Sequence, residues 1–174
     1  LRSRTGVPFT ANAIGFVEGD ACAMPFSDDS FDRVLAVECA FHFPSRARFF
    51  AEAARVLRPG GRLALCDFMP IEPALPFLFA QRLLFDGYVR RIVGPTDISH
   101  SRNMYVELGR DHGFELEGED DVTPNVLPTY RVLRHVARRI GRYVATAHWG
   151  TTGLELLGKL GLLRYVILGF RYRP

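Results

Sequence analysis

The clearest pattern along the chain begins at Val34-Leu35-Ala36-Val37, four consecutive apolar residues that read as a strand buried on both faces. Ser45 then offers a hydroxyl oxygen as an N-cap for a helix running to about Arg58. Phe49, Phe50, Ala53, Val56 and Leu57 recur at helical spacing and define its buried face. Pro59-Gly60-Gly61 ends that helix, and Leu63-Ala64-Leu65-Cys66 is a second buried strand. Strand, helix and strand joined by short links predict a βαβ unit, hence parallel pairing and a right-handed crossover. Upstream, Ile14–Val17 is a short apolar run expected as another strand, closed by the turn signal Glu18-Gly19-Asp20. Residues 25–32 are rich in turn formers, with Phe26 and Phe31 positioned to pin them to a core. Leu1 to Asn12 carry little pattern.

After Asp67 the texture changes. Pro70, Pro73 and Pro76 interrupt the chain, and Phe77–Ile92 then predicts a helix with an apolar stripe. Residues 96–103 are polar and loop-like, Met104–His112 is expected to be helical, and Gly113 ends that helix. Phe114–Val122 alternates and carries five acids, as suits an edge strand with one face in solvent. Tyr130–Tyr143 reads as a basic amphipathic helix, Leu154–Leu162 as a short glycine-interrupted one, and Leu163–Tyr172 as a closing strand. The 174 residues suit one domain, and 48% hydrophobic with 24% charged residues is the balance of an ordinary globular chain.

Charge adds one asymmetry. From Arg131 onward, Arg131, Arg134, Arg138, Arg139, Arg142, Lys159, Arg164, Arg171 and Arg173 face a single acid, Glu155. A basic stretch of this kind suits nucleic acid, an anionic membrane surface or an acidic substrate, or is simply a solvated face balanced by acids elsewhere. No aromatic-interleaved platform for single strands accompanies the arginines, so nucleic acid is not the expected partner. Cys22, Cys39 and Cys66 are odd in number, show no C-x-x-C spacing and sit in or beside apolar runs. They read as small hydrophobes rather than as a disulfide framework or metal site, which points to a reducing, cytoplasmic setting. No apolar run reaches the roughly 18 residues of a membrane span.

Candidate chemistry gathers at the strand ends. Parallel α/β sheets bind ligands outside the carboxyl ends of their strands, and the first three expected strands end in Glu18 and Asp20, in Glu38, and in Asp67. Such acids suit a ligand with hydroxyl and amino donors, such as a nucleoside, although an acid in that place also serves as a turn former or helix cap. The run Phe16-Val17-Glu18-Gly19-Asp20-Ala21 leads into residues 24–32 (MPFSDDSFD). Residues 37–43 (VECAFHF) and 52–61 (EAARVLRPGG) follow. In that order and spacing these segments resemble the class I S-adenosylmethionine (SAM)-dependent methyltransferases, in particular the small-molecule branch that includes quinone, tocopherol and sterol C-methyltransferases. The resemblance is strong over residues 14–68 and looser from Met104 onward.

The resemblance implies an α/β, Rossmann-like sheet without the family's first two strands, carrying a helical lid insertion. It divides one partial domain, residues 1–174, into a cofactor-side core (14–68), a lid over the substrate (70–103) and C-terminal strands and helices (104–174). It implies that Asp20 accepts a hydrogen bond from the adenine amino group and that the backbone of Ala21 addresses the ring. Val37 and Glu38 would lie beside the methionine part of SAM, and His42 would point toward the methyl group as a general base. An imidazole suits that task because it titrates near working pH; the alternative is a histidine that is merely satisfied and partly buried. The family's glycine-rich loop and the acid ending its second strand have no counterpart here, so the chain alone is expected to bind SAM weakly or not at all. The expected acceptor is a small, apolar or amphipathic molecule, because Phe77, Phe79, Leu83, Leu84, Phe85 and Tyr88 crowd the lid segment; these residues would otherwise simply pack on the sheet. The basic stretch 131–142 would favour a membrane surface or an anionic group. A nicotinamide-dependent oxidoreductase would need the glycine fingerprint, and a methyltransferase fold retained as a non-catalytic partner module is the rival reading.

Overall fold

A computed structural model describes residues 14–80, 94–139 and 145–174. Four strands, β1 (Phe31–Val37), β2 (Leu57–Pro70), β3 (Phe114–Asp121) and β4 (Leu163–Tyr172), form one open mixed sheet in the order β1-β2-β4-β3. β1 runs parallel to β2, with Val34 opposite Leu63 and Val37 opposite Cys66. β4 is antiparallel to both β2 and β3, with Leu65 opposite Leu168 and Leu116 opposite Phe170. The expected βαβ unit is therefore present, and the acidic strand β3 lies at an edge.

Helix α1 (Arg46–Val56) makes the crossover, and the hydroxyl of its N-cap Ser45 accepts from the Arg48 N–H at 3.2 Å. Helix α2 (Arg102–Asp111) is capped in the same way by Ser101. Both pack on the face of the sheet built from alternate residues of β2 and β4, among them Leu63, Leu65, Leu168 and Phe170. Phe50 is fully buried at the centre of this layer, with ring centroids 5.8 Å from Phe114 and 5.9 Å from Phe170, both edge-on. Burial of a side chain of that size contributes about 1.5–3 kcal/mol. Helix α2 approaches the sheet closely at Gly109, where a Cβ would stand 2.9 Å from the Phe170 ring.

The opposite face is treated differently. Near β4 it packs under α3 (Thr123–Arg139) and α4 (Ala145–Lys159), where Phe68 meets Tyr165 edge-on at 5.0 Å. Toward β1 it is open, with Leu35 and Val37 72% and 63% exposed. Arg134 of α3 pairs with Glu155 of α4 and ties the two helices together, while Lys159 pairs with the same carboxylate from within α4. The rest of the C-terminal basic residues are answered in part from within the chain: Arg171 pairs with Glu117 and Arg173 with Glu115, across from β3.

Several element boundaries differ from expectation. Ile14–Val17 forms no strand; Ile14 and Phe16 are largely exposed, and no neighbouring strand among the described residues offers a ladder. Helix α1 ends at Val56, and Leu57 already pairs with Phe31, because the Pro-Gly-Gly stretch continues as extended chain. Helix α2 begins at Arg102, inside the span expected to be loop. Helix α3 starts at Thr123, seven residues before Tyr130, with Pro128 within it, and α4 starts at Ala145. Of the helix expected over Phe77–Ile92, residues 75–80 are helical; the remainder, like Leu1–Asn12 and Tyr143, lies outside the described residues.

Candidate functional site

The sheet presents the carboxyl ends of its two parallel strands together, and Glu38 follows β1 directly. Its backbone is left-handed, with φ 50°, a conformation that a residue with a Cβ adopts only at a cost of about 1–2 kcal/mol. Two contacts impose it. The Glu38 N–H donates to the Cys66 carbonyl at 2.9 Å, and its carboxylate accepts from the Tyr165 hydroxyl at 2.6 Å. Tyr165 is buried, and that burial, with the nearby Glu38 carboxylate, drives its hydroxyl pKa well above the usual tyrosine range. Burial, together with the charges of Glu38 and Glu155, raises Tyr130 of α3 to about 12. Both phenols therefore stay protonated, as donors. Tyr165 is itself fixed at the start of β4, where its N–H donates to Thr123 Oγ1 at 2.8 Å.

His42 closes a short 3-10 turn, Ala40–His42, immediately beyond Glu38. The side chain is exposed, its ring lies 4.4 Å from that of Phe41, and its Nδ1 is 3.0 Å from the Pro95 carbonyl oxygen. A carbonyl only accepts, so Nδ1 carries the proton and Nε2 is left with its lone pair in the neutral ring.

Asp20 is exposed, one turn into a strap that crosses α1. Its Oδ1 accepts from the Cys22 N–H at 2.8 Å, leaving Oδ2 outward. Glu52 takes the Met24 N–H at 2.7 Å, and Arg55 donates to the carbonyls of Met24 and Phe26. Gly19 is required by close approach, since a Cβ there would lie 2.9 Å from Pro25 Cδ. The Gly-Asp-Ala run is thus a built turn that presents Asp20 and Ala21 at a fixed place.

Of the strand-end acids, Asp67 belongs elsewhere. It is fully buried, its Oδ1 takes the Phe68 N–H at 2.8 Å, and its Oδ2 takes the Tyr105 hydroxyl at 3.0 Å. Burial raises its pKa above the usual carboxylate range. Asp67 is a core anchor, whereas Asp20 and Glu38 remain outward. Cys39 and Cys66 are also pushed up, mainly by burial, so neither thiol is poised as a thiolate nucleophile. A cleft of about 250 Å³ lies beyond β2, between Ile71, Arg102, Glu119 and Arg164, with no wall from β1.

The sequence pattern did not single out Tyr165, Tyr130, Arg46 or Pro95. Tyr165 was visible only as part of a closing strand, and Pro95 acts through its backbone, which no side-chain pattern announces. Asp67 was visible as a strand-end acid, but its burial depends on Tyr105, 38 residues away.

The sheet thus carries an outward acid and a hydrogen-bonded histidine after β1, on a fold shared with solved methyltransferase structures. Residues 2–65 match the family described as a methyltransferase domain, and over most of its length the chain is similar to methyltransferases. It is 32% identical over 149 residues to methyltransferase GfsG of Streptomyces halstedii, covering 79% of this chain and 50% of that protein. It is 38% identical over 116 residues to the 27-O-demethylrifamycin SV methyltransferase of Amycolatopsis mediterranei, covering 66% of this chain and 40% of that one. The fold superposes on the geranyl diphosphate C-methyltransferase of Streptomyces coelicolor A3(2) with a TM-score of 0.65, at 18% identity, over 87% of this chain and 51% of that one. The chain thus spans about half or less of the length of these relatives.

Proposed function

We propose that this chain supplies the adenine-side and methyl-side residues of a SAM-dependent transfer to a small, apolar or amphipathic acceptor. The observation that carries this reading is Glu38, held in a strained left-handed conformation at the end of β1 with Tyr165 orienting its carboxylate. Strain of this kind persists where surrounding structure over-determines it, typically at ligand sites. The residues present suit the cofactor: Asp20 keeps one carboxylate oxygen outward for an amine donor, beside the backbone of Ala21, and Val37 and Glu38 offer an apolar and an anionic contact for the methionine end. SAM, when bound, supplies an electrophilic methyl group on a sulfonium. His42 Nε2 would take the proton that the acceptor gives up on receiving the methyl group, while Asp20, Ala21, Val37 and Glu38 would hold SAM in place. Positioning supplies much of the rate in such an in-line displacement.

The acceptor class rests on Phe77 and Phe79, exposed on the helical residues 75–80, and on the matched relatives, one of which acts on 27-O-demethylrifamycin SV. Helix α3 favours one further element of this reading, contact with an anionic lipid surface. Val132, Leu133 and Val136 are exposed on it beside Arg131, Arg138 and Arg139, a combination that suits an interfacial helix. Among the described residues no helix is long and apolar enough to cross a membrane. Co-sedimentation with phosphatidylserine vesicles, lost in Arg131→Glu/Arg139→Glu, tests it; equal recovery with neutral vesicles would remove it.

Isothermal titration of SAM and S-adenosylhomocysteine into this chain, and into a version extended upstream in its reading frame, tests the central proposal. The expected result is binding by the extended version, lost in its Asp20→Ala and Glu38→Gln variants, with weak or no binding by the 174 residues alone. Binding by neither would support a cofactor-free partner module instead.

A further inference from the structure

Arg46 is the first residue of α1 and its side chain is only 4% exposed. A cation there works against the helix dipole, whose N-terminal end is positive, and burying it forfeits its hydration. Packing alone would be better served by an aliphatic residue. Its hydrogen bonds reach the segment 94–101: Nη1 donates to Asp97 Oδ2 at 3.1 Å and Nη2 to the Asp97 carbonyl oxygen. Asp97 is gripped on every side. Its N–H donates to the Phe41 carbonyl at 2.8 Å, and its Oδ1 accepts from the Ser99 N–H at 3.0 Å and from the Ser99 hydroxyl. Two residues before Asp97, the Pro95 carbonyl takes the His42 Nδ1–H.

We infer that Arg46 and Asp97 form a clamp that selects the tautomer of His42. Asp97 registers the segment against Phe41, Arg46 locks Asp97 through two donors, and the locked segment sets the Pro95 carbonyl at Nδ1. The proton is thereby held on Nδ1, and Nε2 is kept as the bare nitrogen. Both are positioning residues; neither is required to touch a ligand. A planar guanidinium can engage the side-chain and main-chain oxygens of one residue together, whereas a lysine ammonium cannot reproduce that fork. The functional meaning of the clamp rests on the reading of His42 as the base, but its existence does not.

The test is long-range ¹H–¹⁵N NMR of the imidazoles in the 174-residue chain near pH 8, with His42 assigned by its loss in His42→Gln. The wild type is expected to show the Nδ1–H form, and Asp97→Ala and Arg46→Leu to lose it in favour of Nε2–H. Arg46→Lys is expected to retain it only in part. Unchanged amide shifts across β1 and β2 establish that a variant is folded, and Asp97→Asn, which changes a single atom type at a partly exposed site, serves should Arg46→Leu not fold. An Nε2–H form in the wild type, or an Nδ1–H form that survives in folded Asp97→Ala, would overturn the clamp. No methyl acceptor enters this measurement, so an enzyme still fully active as His42→Gln would remove the base reading and leave the clamp standing.

Discussion

Tyr105→Phe isolates the polar bond at the centre of the core. The substitution deletes one oxygen and keeps the ring, which lies 6.4 Å from the Phe50 ring and 5.7 Å from His100. Tyr105 and Asp67 are both buried to within 1% of complete, so no solvent takes the place of the hydroxyl. The lost interaction is a 3.0 Å hydrogen bond to a carboxylate that burial already disfavours as an anion. Hydrogen bonds to charged groups are worth about 1.5–3 kcal/mol, and in a chain of this size each kcal/mol moves the melting temperature by about 2–4 °C. A fall of roughly 3–12 °C is therefore expected at pH 7.

The pH dependence of that deficit is a sharper criterion. Removing a donor to the carboxylate disfavours its charged form, so the Asp67 pKa rises further in the variant. The deficit is then largest above the folded pKa of Asp67 and shrinks as pH falls through it, because a neutral carboxylic acid costs less to leave unpaired. Urea unfolding of wild type and Tyr105→Phe between pH 4 and 8, closed into a cycle with Asp67→Asn, measures this. A deficit below about 0.5 kcal/mol, or one that does not shrink on acidification, would mean that Asp67 is solvated or bound to something other than Tyr105. Asp67 would then not anchor the core.

Two further outcomes follow from the same geometry. Burial, reinforced by the Arg46 charge, lowers the His100 pKa below its ordinary value, so the unfolded chain takes up a proton that the folded one resists. Stability is expected to be lost as pH falls below about 6.5, and His100→Gln should flatten the melting-temperature profile between about pH 5 and 6.5; a fall undiminished in the variant would refute this. Glu38→Gly relieves a left-handed residue at a gain of about 1–2 kcal/mol while losing the Tyr165 bond, so stability should change by less than about 1 kcal/mol. SAM affinity in the extended version should nevertheless drop by about tenfold or more, and an unchanged affinity would remove Glu38 from the site.

Local pattern made much of the fold legible. Ser45, the phenylalanines of α1 and the two apolar runs at residues 34–37 and 63–66 specify the βαβ unit from neighbours in sequence, and the alternating acids of β3 identify an edge. What stayed hidden depends on distant partners. Whether Ile14–Val17 forms a strand depends on a neighbour to pair with, and apolar character alone does not supply one. Helix α3 starts at Thr123, ahead of the basic amphipathic stretch, and Pro124 sits in its first turn, where no N–H is needed. The three strand-end acids look alike in sequence and differ only in what faces them, and for Asp67 that is the hydroxyl of Tyr105.

That difference gives the acids complementary roles. Asp20 and Glu38 remain outward with carboxylate oxygens available to donors, while Asp67, drawn inward, accepts from the Tyr105 hydroxyl and the Phe68 N–H. Phe41 offers its carbonyl to the Asp97 N–H, and its neighbour His42 is held by Pro95. A histidine on a surface turn would ordinarily sample several orientations and both tautomers. Here the turn is tied to the segment 94–101 through the Phe41 carbonyl and the ring through the Pro95 carbonyl, and preorganisation of that kind would serve the proton acceptor proposed above.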